Sequence, residues 1–327
     1  MGGLDSSESM VSALAAIAVS RPDLGLPFGV LHFGFSLFWI TEVSGLGWVA
    51  LALILALYPA GWCGVWSLLL RDRPQELSSW FNLKVAALGA CAWVCFEWVR
   101  GWLFTGFPWN FLGVTQSGTV AILQIADLGG VLLVSWLVAL INLILALTLL
   151  RLFRELRHQQ KARPHYDFTV SMLLVALAFG YGAGVIFETN EPRSRLNFLA
   201  VQPNLPQDPW GEGVTLDQAV QRMAQLTLTG LGGNLGPEAT QKLDLVVWPE
   251  TPVGRDLGAD PVFQEFLHFV TSQAESSFLF GSNVFEGGQV FNSALLHQPG
   301  GLEPQVYRKQ HLVIMGEYVP MANVLPF

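Results

Sequence analysis

The chain has 327 residues, 52% of them hydrophobic and only 13% charged, with a mean hydropathy of +0.44. Soluble domains carry about twice that charged fraction, which excludes an ordinary water-soluble globule for the whole chain. The net charge of −8 gives no support to nucleic-acid binding.

The first 20 residues lack the basic start of a cleaved signal peptide and carry Asp5 and Glu8 instead. Gly2 with Ser6 matches a myristoylation pattern only at the level of chance. Residues 10–19 are apolar but too short to span a bilayer, which takes about 20 such residues. Five later stretches are predicted to span. They are Leu24 to Ile40, interrupted by Pro27; Leu46 to Leu70; Leu83 to Val99; a helix within Val120 to Leu150, from Gly129 onward; and Phe168 to Phe187.

Arg71 and Arg73 follow the second stretch, and Arg151, Arg154, Arg157, Lys161 and Arg163 follow the fourth. The excess of basic residues in cytoplasmic loops predicts that both loops lie in the cytoplasm. The amino terminus is then inside, and everything after Glu188 is outside the cytoplasmic membrane. Cys63, Cys91 and Cys95 all sit in apolar runs. Cys91 and Cys95 share a helix face, but no further ligand lies at metal spacing, so they read as small packing residues. The rest of the chain has no cysteine and therefore no disulfide framework.

The segment from Glu97 to Asn110 is rich in aromatic residues. Glu97 and Arg100 are three apart and can pair on a helix. Two readings stand: an interfacial aromatic belt with a snorkelling ion pair, or a surface that handles a lipid head group.

Most acidic residues lie after Phe187, and the polar stretch Glu188 to Ser194 marks a boundary. The expected division is 1–190 for a transmembrane helical domain and 191–327 for a water-soluble one. In the second part, Leu196–Val201, Leu243–Val247 and Phe278–Gly281 read as strands. Thr215–Leu228 and Pro261–Ala274 read as helices between them. Gln289–His297 and Glu303–Tyr307 read as antiparallel strands around the turn Pro299–Gly301. Strands alternating with helices, then a hairpin, predict an α/β domain.

Three charged positions stand out there. Glu250 follows a buried strand in Trp248-Pro249-Glu250, and strand ends are where α/β folds place chemistry. Beside Trp and Pro, its pKa is expected to be raised, as suits a general base. Lys309 also follows a strand, where a fixed ammonium can stabilise an oxyanion. Glu317 lies in Gly316-Glu317-Tyr318-Val319-Pro320. His268, His297 and His311 show no pattern of their own. The stretch Gly230 to Gly236 lacks the ending of a phosphate-binding loop, so no nucleotide is expected.

Trp248-Pro249-Glu250, Tyr307-Arg308-Lys309-Gln310-His311-Leu312 and Gly316-Glu317-Tyr318-Val319-Pro320 resemble successive motifs of the carbon–nitrogen hydrolase (nitrilase) superfamily. Arg100-Gly101-Trp102 and Thr105-Gly106-Phe107-Pro108-Trp109 resemble the outer loop of the apolipoprotein N-acyltransferase family. So does Val201-Gln202-Pro203-Asn204-Leu205-Pro206-Gln207, with Trp210 following. The similarity runs from about His32 to Phe327.

The resemblance implies a membrane α-helical bundle followed by a nitrilase-like α-β-β-α sandwich, incomplete in this chain. It implies transfer of an acyl chain from a phospholipid to the free amine of a diacylglyceryl-cysteine lipoprotein, through a Cys thioester. Membrane lipid and the lipoprotein are then the partners, with no metal or other cofactor. Glu250 resembles the general base, Lys309 the oxyanion-stabilising lysine and Glu317 the glutamate that supports it. Trp210 resembles an aromatic near the mouth of the site, and Trp102 and Trp109 would border a lipid-facing entrance. The expected place is a bacterial inner membrane, with the α/β domain in the periplasm.

The family's nucleophilic Cys follows a strand downstream of the Gly-Glu-Tyr-Val-Pro motif, a position this sequence does not reach. The expectation is therefore a fragment that does not transfer acyl groups alone. The competing expectations are a membrane-tethered amidase of the same superfamily and a non-catalytic membrane protein.

Overall fold

The computed structural model describes residues 22–42, 44–71, 78–157, 164–188, 194–205, 215–232, 243–251, 255–301, 303–313 and 317. The chain forms two compact units, Met1–Asn190 and Glu191–Phe327. The expected apolar stretch 10–19 and Trp210 lie outside the described residues.

The first unit is helical: α1 (Gly25–Ser36), α2 (Gly45–Leu69), α3 (Ser79–Arg100), α4 (Val120–Leu123), α5 (Ala126–Arg157) and α6 (Tyr166–Phe187). Among the described residues, α2, α3, α5 and α6 are long and apolar enough to cross a membrane. That is four helices where five spans were expected. The first stretch is the difference. Helix α1 has 12 residues, about 18 Å at 1.5 Å per residue, against a bilayer core of about 30 Å. Pro27 is not what limits it, because it sits in the first turn, where an N–H has no helical partner. The helix ends at Leu37, and a 3-10 turn follows at Phe38–Glu42. Turning there buries Leu37 with Phe33 against Ala52 and Leu55, and leaves Phe38 and Trp39 exposed.

Small residues set how closely these helices approach. A Cβ on Gly29 would lie 2.6 Å from the Ala56 Cα, so α1 and α2 meet backbone to backbone. Ser44 and Ser78 cap α2 and α3, their hydroxyls accepting from the N–H groups of Gly47 and Phe81. Gly129 and Gly130 break regular helix geometry near the start of α5, and Gly130 has φ of 67°. The continuous span therefore starts after them, close to where the sequence places it. Leu140, Ile144 and Leu147 of α5 pack with Val85, Ala86 and Ala90 of α3. The buried polar pair Asn82 and Asp167 ties α3 to α6 by a 2.7 Å hydrogen bond.

The second unit is an α/β domain built on one five-stranded sheet. Its strands are β1 (Phe198–Ala200), β2 (Leu245–Val247), β3 (Ser277–Glu286), β4 (Gln289–His297) and β5 (Gln305–Arg308), in that spatial order. The first three run parallel and the last three antiparallel. Helices α7 (Leu216–Gly232) and α8 (Pro261–Ala274) connect the parallel strands, as parallel pairing demands a crossover. Asp260 caps α8 through the N–H groups of Val262 and Phe263, with Pro261 in the first turn. Both helices feed one core, in which Met223, Phe263 and Leu267 meet Val246, Phe278, Phe280 and Leu295.

Strand β3 runs five residues beyond its expected end at Gly281. The two-residue turn Gly287–Gly288, with φ of 58° and 78°, lets it pair with β4 from Phe278 to Glu286.

Candidate active site

Glu250 is placed by what precedes it. Beyond the end of β2, the Trp248 N–H still donates to the Leu279 carbonyl at 2.8 Å. The Trp248 ring is buried among Phe263, Phe266 and Phe278, and its Nε1 donates to the Thr227 hydroxyl at 2.9 Å. A buried indole with its N–H satisfied makes a firm anchor. Glu250 stands two residues beyond it. Gly281 on β3 allows this segment to pass: a Cβ there would lie 2.2 Å from the Thr251 nitrogen and 2.8 Å from the Glu250 Cα.

Lys309 comes immediately after β5, and its N–H still pairs with the Asn292 carbonyl of β4 at 2.8 Å. Its Nζ donates to Glu250 Oε1 at 2.8 Å and to Glu317 Oε1 at 3.0 Å. The structure thus brings together three residues spread over 68 positions of sequence, from Glu250 to Glu317. Glu317 is held further by the Val313 N–H, which donates to Oε2 at 2.7 Å. The Glu250 side chain is 65% exposed, while those of Lys309 and Glu317 are 28% and 23% exposed.

The electrostatics follow from this geometry. Hydrogen bonds from Lys309 and Asn292 hold the Glu250 carboxyl below its ordinary range. This corrects the expectation of a raised value: Trp248 is buried, but the carboxylate points away from that core and meets two donors. The hydrogen bond to Glu250, joined by that to Glu317, raises Lys309 and outweighs its partial burial. Burial pushes Glu317 upward, yet the Val313 N–H, Asn292 and Lys309 together bring it below its ordinary range. At neutral pH the arrangement is one ammonium between two carboxylates. The ammonium is a fixed donor. Both donors meet Glu250 Oε1, so a proton from an incoming group would be accepted at the exposed carboxylate's other oxygen.

Asn292 and Thr251 belong to the cluster and were not singled out in the sequence. Asn292 Nδ2 donates to Glu250 at 2.8 Å and to Glu317 at 2.6 Å, and its Oδ1 accepts from the Thr251 hydroxyl at 2.5 Å. A lone Asn within a strand carries no signal. Only its pairing position beside Lys309 reveals it. The hydrogen bonds that hold the cluster involve none of His268, His297 and His311. Among the described residues, no group of three or more His, Cys, Asp or Glu is placed to hold a metal.

The aromatic loop lies in the first unit. Glu97 and Arg100 are both buried, at 3% and 4% exposure, so neither snorkels. They do not form the ion pair that one of the two readings offered, because each is engaged by other groups. Arg100 donates to the carbonyls of Phe107, Trp109 and Asn110 at 3.4, 2.6 and 3.3 Å, with Phe33 and Phe111 rings against its guanidinium. Glu97 Oε1 accepts from the Trp93 indole at 2.9 Å and the Leu112 N–H at 2.6 Å. Loop carbonyls and N–H groups without strand or helix partners need these side chains.

Clamped in this way, the loop exposes Trp102, Phe104 and Trp109, and Trp109 packs beside Trp39. A cleft of about 340 Å³ opens next to it, walled by Phe28, Tyr58, Trp62 and Trp93. Cys63 is half-buried and Cys91 and Cys95 are exposed, all on α2 and α3.

Residues 16–144 match the family described as the apolipoprotein N-acyltransferase N-terminal domain. The match starts ahead of His32, where the resemblance was expected to begin. An apolipoprotein N-acyltransferase of Geobacter metallireducens is 31% identical over 323 residues, covering 93% of this chain and 57% of that protein. Those of Methylococcus capsulatus and Caulobacter vibrioides are each 29% identical, with 57% and 55% of their lengths covered. The chain therefore spans a little over half the length of these relatives.

Proposed function

We propose that this chain, which belongs to the apolipoprotein N-acyltransferase family, serves the transfer of a phospholipid acyl chain to the N-terminal amine of a diacylglyceryl-cysteine lipoprotein. The observation that carries this reading is the Lys309 amine held at 2.8 and 3.0 Å between Glu250 and Glu317. In this mechanism Glu250 takes the proton of a cysteine thiol, and the thiolate attacks the ester carbonyl of the phospholipid. Lys309 stabilises the tetrahedral oxyanion. Glu250 returns the proton to the departing lysophospholipid oxygen, leaving a thioester. The lipoprotein amine then attacks the thioester, its proton passes to Glu250, and the thiol is released and reprotonated. Glu317 keeps the lysine charged and in place.

Residues 191–327 contain no cysteine. In this reading the nucleophile belongs to the part of the relatives' length that this chain does not span. Trp102 and Trp109 border the lipid side. Trp210 is read by resemblance alone. The basic residues after α2 and α5 support an inner-membrane location with the sheet unit on the periplasmic side.

The test is acyl transfer by the protein expressed from its whole genomic reading frame. Vesicles of phosphatidylethanolamine supply the donor and a diacylglyceryl-cysteine peptide the acceptor. The readout is a gain of one acyl mass on the peptide amine. Glu250→Gln and Lys309→Met are each expected to slow transfer by about a hundredfold or more. Undiminished transfer in both variants overturns the reading.

A further inference from the structure

Charge alone does not explain how two carboxylates come to share one amine. Asn292 sits on β4, paired with Asn283 of β3. Its Nδ2 donates to the same two oxygens that Lys309 Nζ approaches, Glu250 Oε1 and Glu317 Oε1. Two donor nitrogens and two acceptor oxygens thus close a ring. Each oxygen receives one neutral and one charged hydrogen bond, and the two like charges are screened from each other by donors on both sides.

The orientation of the amide matters. Turned over, it would set its oxygen against both carboxylates and leave them with the ammonium alone. As it stands, Oδ1 accepts from the Thr251 hydroxyl at 2.5 Å. Thr251 adopts φ of 36°, a left-handed conformation that a β-branched residue rarely takes. Its neighbour in sequence is Glu250, so the strained residue links the amide to the carboxylate it serves. The Asn292 carbonyl also fixes the Lys309 backbone at 2.8 Å. One residue therefore touches every member of the cluster.

We propose that Asn292 is the positioning residue of this site, setting Glu250 and Glu317 on either side of the Lys309 amine through one amide that Thr251 orients. The inference rests on reading these three residues as one functional cluster. Its test, however, needs no turnover. No side chain of similar size replaces the amide. The substitution Asn292→Asp would turn oxygens toward two carboxylates, and Asn292→Leu keeps the approximate shape but offers no donor.

The experiment follows the glutamate side-chain carboxyl signals by carbon-13 NMR during acid titration of the full chain in phosphatidylcholine nanodiscs. Glu250→Gln and Glu317→Gln identify the two signals. Asn292→Leu is expected to raise the midpoints of both glutamates together by about half a pH unit or more. Thr251→Val is expected to move them the same way by less. A purely structural role for Asn292 would lower thermal stability and leave both midpoints in place, and that result overturns the proposal. Should Asn292→Leu fail to fold, Thr251→Val decides alone, and unchanged midpoints there overturn it. Failure of acyl transfer by the whole protein would count against the proposed reaction and leave these midpoints untouched.

Discussion

At the scale of single residues, the site is governed by donors that outnumber what exposure would predict. Glu250 is largely exposed, yet it is held below its ordinary range because Lys309 and Asn292 both donate to it. A carboxyl lowered in the folded state contributes stability that is present above the ordinary carboxylate pKa and is lost as pH falls through the folded value. Lys309 is raised, so its contribution is present below the ordinary lysine pKa and is lost as pH rises through its own. The ion pair is therefore intact from roughly pH 5 to roughly pH 10. Glu250→Gln removes the largest cause of the raised lysine. Acetylation of Lys309 by acetic anhydride at mildly alkaline pH, read by peptide mass against Lys242, is expected to quicken by about threefold or more. An unchanged rate would mean that the pair is not formed in solution. Arg100 makes the opposite case, a buried cation spent on backbone. Arg100→Leu leaves the carbonyls of Phe107, Trp109 and Asn110 without this donor. The expected cost is about 3 kcal/mol in the helical unit, read as a lowered unfolding temperature in nanodiscs. Unaltered stability would show that the loop carbonyls find other donors.

At the scale of elements, the position of a candidate group depends on what its neighbours leave out. The segment carrying Glu250 crosses β3 where Gly281 presents no side chain. Gly281→Ala would push a methyl carbon against backbone atoms 2.2 to 2.8 Å away. A backbone contact has no rotamer by which to yield, so the expected cost is about 1–3 kcal/mol and a displaced Glu250. Thermal unfolding of the variant, together with faster acetylation of Lys309, checks both parts. A variant as stable as the parent would show that the segment has room to move. Helix α1 teaches a related lesson. Its apolar residues continue to Ile40, long enough in composition to suggest a span. Burial of Leu37 against α2 turns the chain before that length is reached. Hydropathy counts apolar residues and is blind to which of them face protein and which face lipid.

At the scale of the whole molecule, topology is the open prediction. A cysteine placed at Glu286, in the sheet unit, is expected to react with a membrane-impermeant maleimide in cells with a permeabilised outer membrane. One at Arg157, at the end of α5, is expected to react only after lysis. Labelling of Arg157→Cys without lysis would reverse the assigned orientation. The division between helical and sheet regions was legible in the sequence, because apolar length and charge density respond directly to the surrounding solvent. So were the strand–helix alternation and Glu250, Lys309 and Glu317 as candidates, since turn residues and strand ends leave local marks. What only the tertiary structure decided was how those charges meet. The parallel crossover and the β3–β4–β5 hairpins bring the segments of Glu250, Asn292 and Lys309 side by side. Asn292 acquires a purpose only through that pairing. The lowered Glu250 likewise results from donors 42 and 59 residues away. A sequence displays the chemical groups, but hydrogen bonds act over about 3 Å of space, and the fold alone sets that distance.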